Sequence, residues 1–475
     1  TAQSATLTFT GDTGESHPIT VSIADDTLIE PTESLYVNLS NLSTTLIGIN
    51  DSQGEITIED NDGGADKGLT ISDMTVNEGD GTATVQVTLT GNVQGGFTVD
   101  YQTADGTAIA PDDYQSQSGT LTFIGDTGET KEIEVLINDD TLIEPTERLY
   151  VNLSNVSTTL IGINDSQGEI TIEDNDGGAD NGLTISDITV NEDDGTATVQ
   201  VTLTGNVQGG FSVDYQTADG TAIAEGDYQS QSGTLTFAGT TEESHPITVS
   251  IADDTLIEPT ERLYVNLSNL STTLIGINDS QGEITIEDND GGADNGLTIS
   301  DITVNEGDGT ATVQVTLTGN VQGGFTVDYQ TADGTAIAEE DYQSQSGTLT
   351  FAGTTEESHP ITVSIADDTL IEPTEHLYVN LSNLSTTLIG INDSQGEITI
   401  TDNDGGTGNG LTISDITVNE GDGTATVQVT LTGNVQGGFS VDYQTADGTA
   451  IAEDDYQSQS GTLTFTGTTE ESHPI

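Results

Sequence analysis

The stretch Ala83-Thr84-Val85-Gln86-Val87-Thr88-Leu89-Thr90 decides the fold. Its apolar residues fall at every second position, the period of a strand with one buried and one wet face. Phe97, Val99 and Tyr101 make the next such run. Leu121 and Phe123, then Ile133, Val135 and Ile137, then Leu149, Val151 and Leu153, then Ile170 and Ile172 follow, and Leu69 and Ile71 precede. Gly-Asn, Asp-Gly, Gly-Asp and Asn-Asp pairs separate the runs and supply turns. No stretch carries helical periodicity of useful length. About seven alternating strands in about 110 residues predict an antiparallel sandwich of immunoglobulin-like build. With no Cys in the chain, no disulfide holds it.

The block is rebuilt along the chain. Gly68-Leu69-Thr70-Ile71-Ser72-Asp73 returns from Gly182, Gly296 and Gly410, an interval of 114 each time. Residues 1–62 read as the back part of one unit, 66–176, 180–290 and 294–404 as whole units, and 408–475 as the front of a fifth. The predicted fold class is an all-β tandem array of seven-stranded sandwiches. Thr1 aligns with Gln115 and Ile475 with Ile361, so both ends fall inside units. The expectation is a window on a longer array; the alternative is that a neighbouring chain completes each broken end by strand addition. Between units runs Asp174-Asn175-Asp176-Gly177-Gly178-Ala179-Asp180-Asn181-Gly182. Such a Gly-rich stretch alone predicts a flexible hinge, but it opens on carboxylates that a metal could tie down. Thr401, in place of the Glu at 59, 173 and 287, and Gly408, in place of Asp294, predict a weaker joint after Asp404.

Lys67, Lys131, Arg148 and Arg262 face 81 acidic residues, a formal net charge of −77. Nucleic acid and anionic membrane surfaces are excluded as partners, because binding them takes Lys and Arg that displace counterions. Salt bridges cannot balance the acids, so counter-ions, bound metal or external salt must. An acidic disordered tail would share this balance but not the regular apolar blocks. No run of 18 or more apolar residues predicts membrane insertion in this window.

Asp139-Asp140-Thr141-Leu142-Ile143-Glu144-Pro145-Thr146-Glu147 puts four carboxylates in a nine-residue loop between strands, and the same words stand at 25–33, 253–261 and 367–375. Two ionised groups about 4 Å apart repel by roughly 4 kcal/mol at an effective dielectric near 20. A cluster rebuilt in every unit either splays into water or is neutralised by a cation. Three more acidic segments stand at strand ends of each unit: Glu78 in Val-Asn-Glu-Gly-Asp, Asp105 in Thr-Ala-Asp-Gly-Thr-Ala, and Asp174-Asn175-Asp176. Calcium takes about six to eight oxygens from adjustable loops, which four acidic loops at one end of a sandwich would supply. Zinc is disfavoured by the absence of Cys and by His residues apart from the acids. Magnesium would take fewer direct carboxylates and keep more water. Asp60-Asn61-Asp62-Gly63 opens like an EF-hand loop, but Ile71 stands at the twelfth position, where that loop needs Glu. The plainer alternative is that these acids only solvate turns.

Five ordered motifs carry a resemblance: Val-Asn-Glu-Gly-Asp-Gly-Thr-Ala, Asp-Tyr-Gln-Thr-Ala-Asp-Gly-Thr-Ala, Asp-Tyr…Ser-Gly-Thr-Leu-Thr-Phe, Asp-Asp-Thr-Leu-Ile-Glu and Ile-Glu-Asp-Asn-Asp. Together they resemble the Calx-beta domain, a module of sodium–calcium exchangers, an integrin chain and large bacterial surface proteins. The resemblance runs through every unit and implies a seven-strand sandwich with several calcium ions at the loop end near the linker. In 66–176 it implies the ligands Glu78, Asp105, Asp139, Asp140, Glu144, Asp174 and Asp176, with the Leu142 carbonyl and Glu147 as further candidates. Equivalents are Glu192, Asp219, Asp253, Asp254, Glu258, Asp288 and Asp290, then Glu306, Asp333, Asp367, Asp368, Glu372, Asp402 and Asp404. The first partial unit keeps Asp25, Asp26, Glu30, Asp60 and Asp62, and the last keeps Glu420 and Asp447.

Asp113-Tyr114 and its copies at Asp227, Asp341 and Asp455 fall outside that set, the Tyr being expected in the core or at a corner. His17, His245, His359 and His473 precede Pro at a strand start, yet Lys131-Glu132 stands there in 66–176. A catalytic His would not be exchanged so freely between near-copies. With no paired acid and base, nucleophile elbow or phosphate loop, no enzyme is expected. Asn152-Leu153-Ser154 and Asn155-Val156-Ser157 match a glycosylation pattern that turn formation explains as well. The predicted function is a calcium-stabilised structural region of an extracellular filament or large bacterial adhesin stalk at the cell surface. Calcium and like chains in a filament or bundle are its expected partners. The alternative is a module that binds surface glycans or matrix through the Thr- and Ser-rich outer faces. A regulatory calcium sensor would need a coupled membrane or effector domain.

Overall fold

In the computed structural model, which describes residues 3–475, the alternating runs become two packed sheets per unit. One sheet of 66–176 has the order Thr130–Leu136, Thr82–Thr90, Gly68–Ile71, Gly162–Ile163. The other has the order Met74–Asn77, Gln167–Glu173, Glu147–Ser154, Phe97–Asp105, Ser118–Phe123. The first predicted run is present as Gly68–Ile71, and Met74–Asn77, a strand absent from the sequence reading, follows it in the other sheet, the chain crossing at Ser72 and Asp73. Each of these two strands makes one parallel pair, Gly68 with Gly162 and Met74 with Ile170, while the remaining pairs are antiparallel. Val85, Val87 and Leu89 point inward and are fully buried with Val99, Leu149, Val151 and Ile170, while Thr82, Gln86 and Thr90 face water. Each such side chain contributes roughly 1.5–3 kcal/mol. The same sheets recur in 180–290 and 294–404. In the two partial units fewer strands cover the apolar positions, and Phe9, Tyr36 and Ile413 lie exposed.

The joints between units depart from the expected hinge. Leu142–Ile143, inside the acidic stretch read as a loop, pairs parallel with Asn206–Val207 of the following unit. The Gln208 N–H donates to the Ile143 carbonyl at 2.9 Å. Ile143 is only 2% exposed and lies in the next unit's core with Leu183 and Val207. Gly205, at φ +100°, leaves the space, because a Cβ there would stand 2.8 Å from Ile143 Cδ1. An isoleucine in an acidic loop gains nothing from its own solvated surroundings, and the neighbour's core is where it can be buried. Asn181 ties the linker down as well, its Nδ2 donating to the Asp176 carbonyl at 2.9 Å. The same pairing joins Leu28–Ile29 to Asn92–Val93, Leu256–Ile257 to Asn320–Val321 and Leu370–Ile371 to Asn434–Val435. The joint after Asp404, expected to be weaker, keeps this pairing.

Candidate metal centre

In 66–176, parallel pairing of Met74–Asn77 with Gln167–Glu173 brings the ends of both strands to one place. A 3-10 turn, Glu78–Asp80, follows the first strand and is closed by Gly81 at φ 73°. Asp174 and Asp176 follow the second. Glu78, Asp174 and Asp176 form a turn group whose ligand oxygens lie within 4.8 Å of one another. The acidic loop borders it: the Asp140 N–H donates to Glu78 Oε1 at 3.1 Å, and Asn175 Nδ2 donates to Asp139 Oδ1 at 3.3 Å. Asp140 also turns its own loop, accepting from the Leu142 N–H at 2.6 Å.

Glu192, Asp288 and Asp290 repeat the turn group in the third unit, with Asp254 N–H on Glu192 at 3.1 Å and Asp253 among the charges acting on Asp290. In the fourth, Glu306 gathers with Asp368 and Asp404, while Asn403 donates to Asp367 at 3.3 Å and Asp404 N–H to Asp402 at 3.3 Å. The partial units keep pieces. Asp25 accepts from Asn61, Asp26 from the Leu28 N–H and Asp60 from the Gly63 N–H, and burial raises the Asp62 pKa. Glu420 opens the turn Glu420–Asp422.

A second, joint group holds Asp113, Glu144 and Glu147, repeated as Asp227, Glu258 and Glu261. Glu375 lies against Asp341 in the fourth unit, where Glu372 is its neighbour. The following unit holds this group in place: Gln208 Nε2 donates to Glu144 Oε1 at 2.8 Å, as Gln94 does to Glu30, Gln322 to Glu258 and Gln436 to Glu372. Members of both groups line one pocket, Glu78 and Asp174 with Asp113, Glu144 and Glu147.

Two residues sit differently from the grouping the sequence suggested. Asp113, left out of the ligand set, joins the joint group. Asp105, placed in the set, belongs to neither group of its unit. Its Oδ1 instead accepts from the Tyr114 hydroxyl at 2.6 Å and the Ala110 N–H at 3.2 Å, which pins the loop that carries Asp113. Asp219, Asp333 and Asp447 do the same for Tyr228, Tyr342 and Tyr456. A buried phenol needs an acceptor, and Tyr114 is in the core as expected. A signal for Asp113 was present: Asp stands at 113, 227, 341 and 455, while the position before it changes through Asp112, Gly226, Glu340 and Asp454.

Burial and mutual repulsion shape the electrostatics. Burial pushes Glu78 up to about 7, with Asp140, Asp176 and Asp174 adding to it against the Asp140 N–H. Burial, then Glu147 and Asp113, push Glu144 up to about 7. Asp176 is raised by burial and by Asp174, Asp139 and Asp140. Asp105 moves the other way, held low by the Tyr114 hydroxyl. Asp176 Oδ2, Asp288 Oδ1, Asp290 Oδ2 and Asp404 Oδ2 are buried with no hydrogen-bond donor. A buried acceptor without a partner costs about 1–3 kcal/mol and points to a missing ligand. The donor set is all oxygen, from several loops, and suits calcium.

Fold and site together define a tandem array of β-sandwich modules, each with carboxylates gathered where it meets the next. The chain belongs to the Calx-beta domain family, whose model matches residues 1–62, 66–176, 180–290, 294–404 and 407–473. Sodium/calcium exchanger 2 of Rattus norvegicus is 30% identical over 223 residues, 40% of this chain and 23% of the exchanger. Sodium/calcium exchanger 1 of Bos taurus is 32% identical over 188 residues, 36% of this chain and 19% of the exchanger. The chain therefore spans less than a quarter of these relatives. Among solved structures, the calcium binding domain CBD12 of CALX1.1 is 21% identical (TM-score 0.23), matching 46% of this chain and 98% of its own. A tetra-tandem repeat from the extending region of a large adhesion protein is 15% identical (TM-score 0.30), matching 86% of this chain and 90% of its own. Calx-beta domains are calcium-binding domains, and the acidic groups of this chain could hold the metal.

Proposed function

We propose that this chain is the calcium-stabilised, length-giving region of an extracellular filament or large bacterial adhesin stalk, displayed at the cell surface. One observation carries the reading: Ile143 and Glu144 are adjacent in one loop, the first seated in the next unit's core and the second in the joint group. The loop that would hold the ion is also the joint. Glu78, Asp174, Asp176, Asp139 and Asp140 would hold calcium on the turn side, and Asp113, Glu144 and Glu147 on the joint side. Bound calcium supplies the positive charge that lets these carboxylates ionise side by side. The chain's residues do the rest: Asp105 and Tyr114 orient Asp113, Gln208 orients Glu144, and Ile143 couples the loop to its neighbour. Near-identical units suit spacing and load-bearing rather than recognition by one special unit. Extracellular calcium modules work with Kd of about 10⁻⁴–10⁻³ M, which suits an array outside the cell. Like chains side by side are the proposed assembly partners, and no catalytic role is proposed.

The test is small-angle scattering of the chain with calcium and with chelator. The maximum dimension should grow, and the distribution of distances narrow, when calcium is added. Superimposable curves would refute the reading.

A further inference from the structure

The second unit departs from the others along one sheet edge. Thr130–Leu136 is the outer strand of its four-stranded sheet and pairs, among the described residues, with Thr82–Thr90 alone. Bonds just past its two ends, Leu89 N–H to the Glu129 carbonyl and Ile137 N–H to the Gly81 carbonyl, fix the alternation. Lys131, Ile133 and Val135 therefore bond inward, and Thr130, Glu132, Glu134 and Leu136 turn their backbone groups away from the sheet. The Gln115 N–H and Gln117 Nε2 already donate to the Leu136 and Glu134 carbonyls. That leaves an open row from Thr130 to the Glu134 N–H. In the other units Pro18, Pro246, Pro360 and Pro474 stand at the place of Glu132. Proline removes the middle donor of such a row and sets its ring where an added strand would lie, a common guard of exposed edges. The second unit alone lacks this guard. Its outward side chains differ as well: Glu132, Glu134 and Leu136, all exposed, replace Pro246, Thr248 and Ser250 of the third unit. Lys131 does not neutralise the two acids, because its Nζ sits 3.0 Å from Glu129 and 5.9 Å from the Phe123 ring centroid.

We propose that this edge docks an extended segment of another protein that carries Lys or Arg at two alternate positions, with an apolar residue at the next. The open N–H and carbonyl groups of Thr130 and Glu132 extend the sheet by one strand. Side chains two apart on an added strand share a face, so the cations meet Glu132 and Glu134 and the apolar residue reaches Leu136. Charge selects the occupant. An acidic strand is repelled, and a second copy of this chain does not fit, since its basic residues, Lys67, Lys131, Arg148 and Arg262, never stand two apart. The spacer role above concerns joints that all units share; this edge gives one unit of the array a partner of its own.

Fluorescence anisotropy with a short labelled peptide of alternating valine and lysine tests this on the whole chain in calcium. Salt of about 0.15 M limits diffuse attraction by the net charge to about 8 Å. The parent should bind one peptide per chain. Glu132→Pro installs the residue that the same strand accepts at Pro246 and Pro360. It should weaken binding at least about tenfold, because a backbone donor is lost and a ring faces the peptide. Pro246→Glu with Thr248→Glu opens the third unit's edge and should raise the count to two. Bound peptide should also slow amide exchange in 130–134 of the parent. Equal affinity of the parent and Glu132→Pro, unchanged exchange in 130–134, or no binding by the parent each overturns the proposal and leaves the calcium reading standing. Should Glu132→Pro melt below the parent, the double change in the third unit decides, and a count that stays at one sinks the idea.

Discussion

Ile143→Ala should open one joint and spare both sandwiches beside it. The Ile143 side chain is 2% exposed, and it packs in the core of the unit that follows, not in its own. Truncating a buried isoleucine to alanine costs about 2–5 kcal/mol, depending on how far the site collapses. Collapse is limited here, because the wall facing Ile143 Cδ1 is the backbone of Gly205, fixed at φ +100°. We therefore expect about 3 kcal/mol, which at about 1.4 kcal/mol per decade is roughly a hundredfold rise in the open fraction of that joint. The natural chain has no Cys, so two introduced cysteines can carry a donor and acceptor dye on either side of the joint. In saturating calcium, the dye-to-dye distance distribution should be narrow in the parent and broad in Ile143→Ala, with far-ultraviolet dichroism unchanged. Ile133→Ala, a core change within the unit, should lower melting without broadening the distances. If Ile143→Ala instead lowers melting like Ile133→Ala and leaves the distances narrow, the joint is not held as argued.

Three further outcomes follow from the same geometry. Glu78 is raised from 4.5 to about 7, so between those values the folded chain keeps a proton that the unfolded chain has released. The Glu78 contribution to metal-free stability should be fullest below about 4.5 and be lost, by roughly 3 kcal/mol in total for that sandwich, as pH rises from 4.5 through 7, and melts in chelator from pH 4 to 8 check this. Calcium should flatten or reverse that slope, since ionised carboxylates bind it. Tyr114→Phe leaves Asp105 without its hydroxyl donor. A loss of about 1–2 kcal/mol in melting is expected, with weaker calcium binding as the Asp113 loop loosens, whereas Asp113→Asn should weaken binding without lowering metal-free stability. Gln208→Ala removes the amide from Glu144 and should lower calcium affinity at the joint group while melting in chelator stays within about 0.5 kcal/mol of the parent.

Much of this architecture could be read from period alone. Alternation in Ala83–Thr90 gave the buried face correctly, because a strand with one wet side writes its geometry directly into every second residue. The strand Met74–Asn77 did not show, since it is four residues long after the turn Ser72-Asp73 and only tertiary packing places it in the other sheet. Leu142-Ile143 hid for a related reason. Two apolar residues are too few for a period, and their partner belongs to another unit. At the site, charge identified the acidic loops but not the work of each acid. Asp105 and Asp113 are both strand-end aspartates in sequence. Only the position of the Tyr114 hydroxyl separates the one that holds the loop from the one that faces the joint group.

Placing Gln at the joint follows from the chain's charge. A Lys or Arg at position 208 would bind Glu144 more strongly, yet its positive charge would compete with a cation for that carboxylate. A neutral amide can orient Glu144 and still leave its charge available. Joint and ion are then partners in one equilibrium. If cation binding favours the closed joint by some factor, closing the joint must raise cation affinity by the same factor. Since the unit that follows supplies the amide on each joint group, the proposed function requires affinity and stiffness to rise together at each joint, and neither would be a property of one sandwich alone.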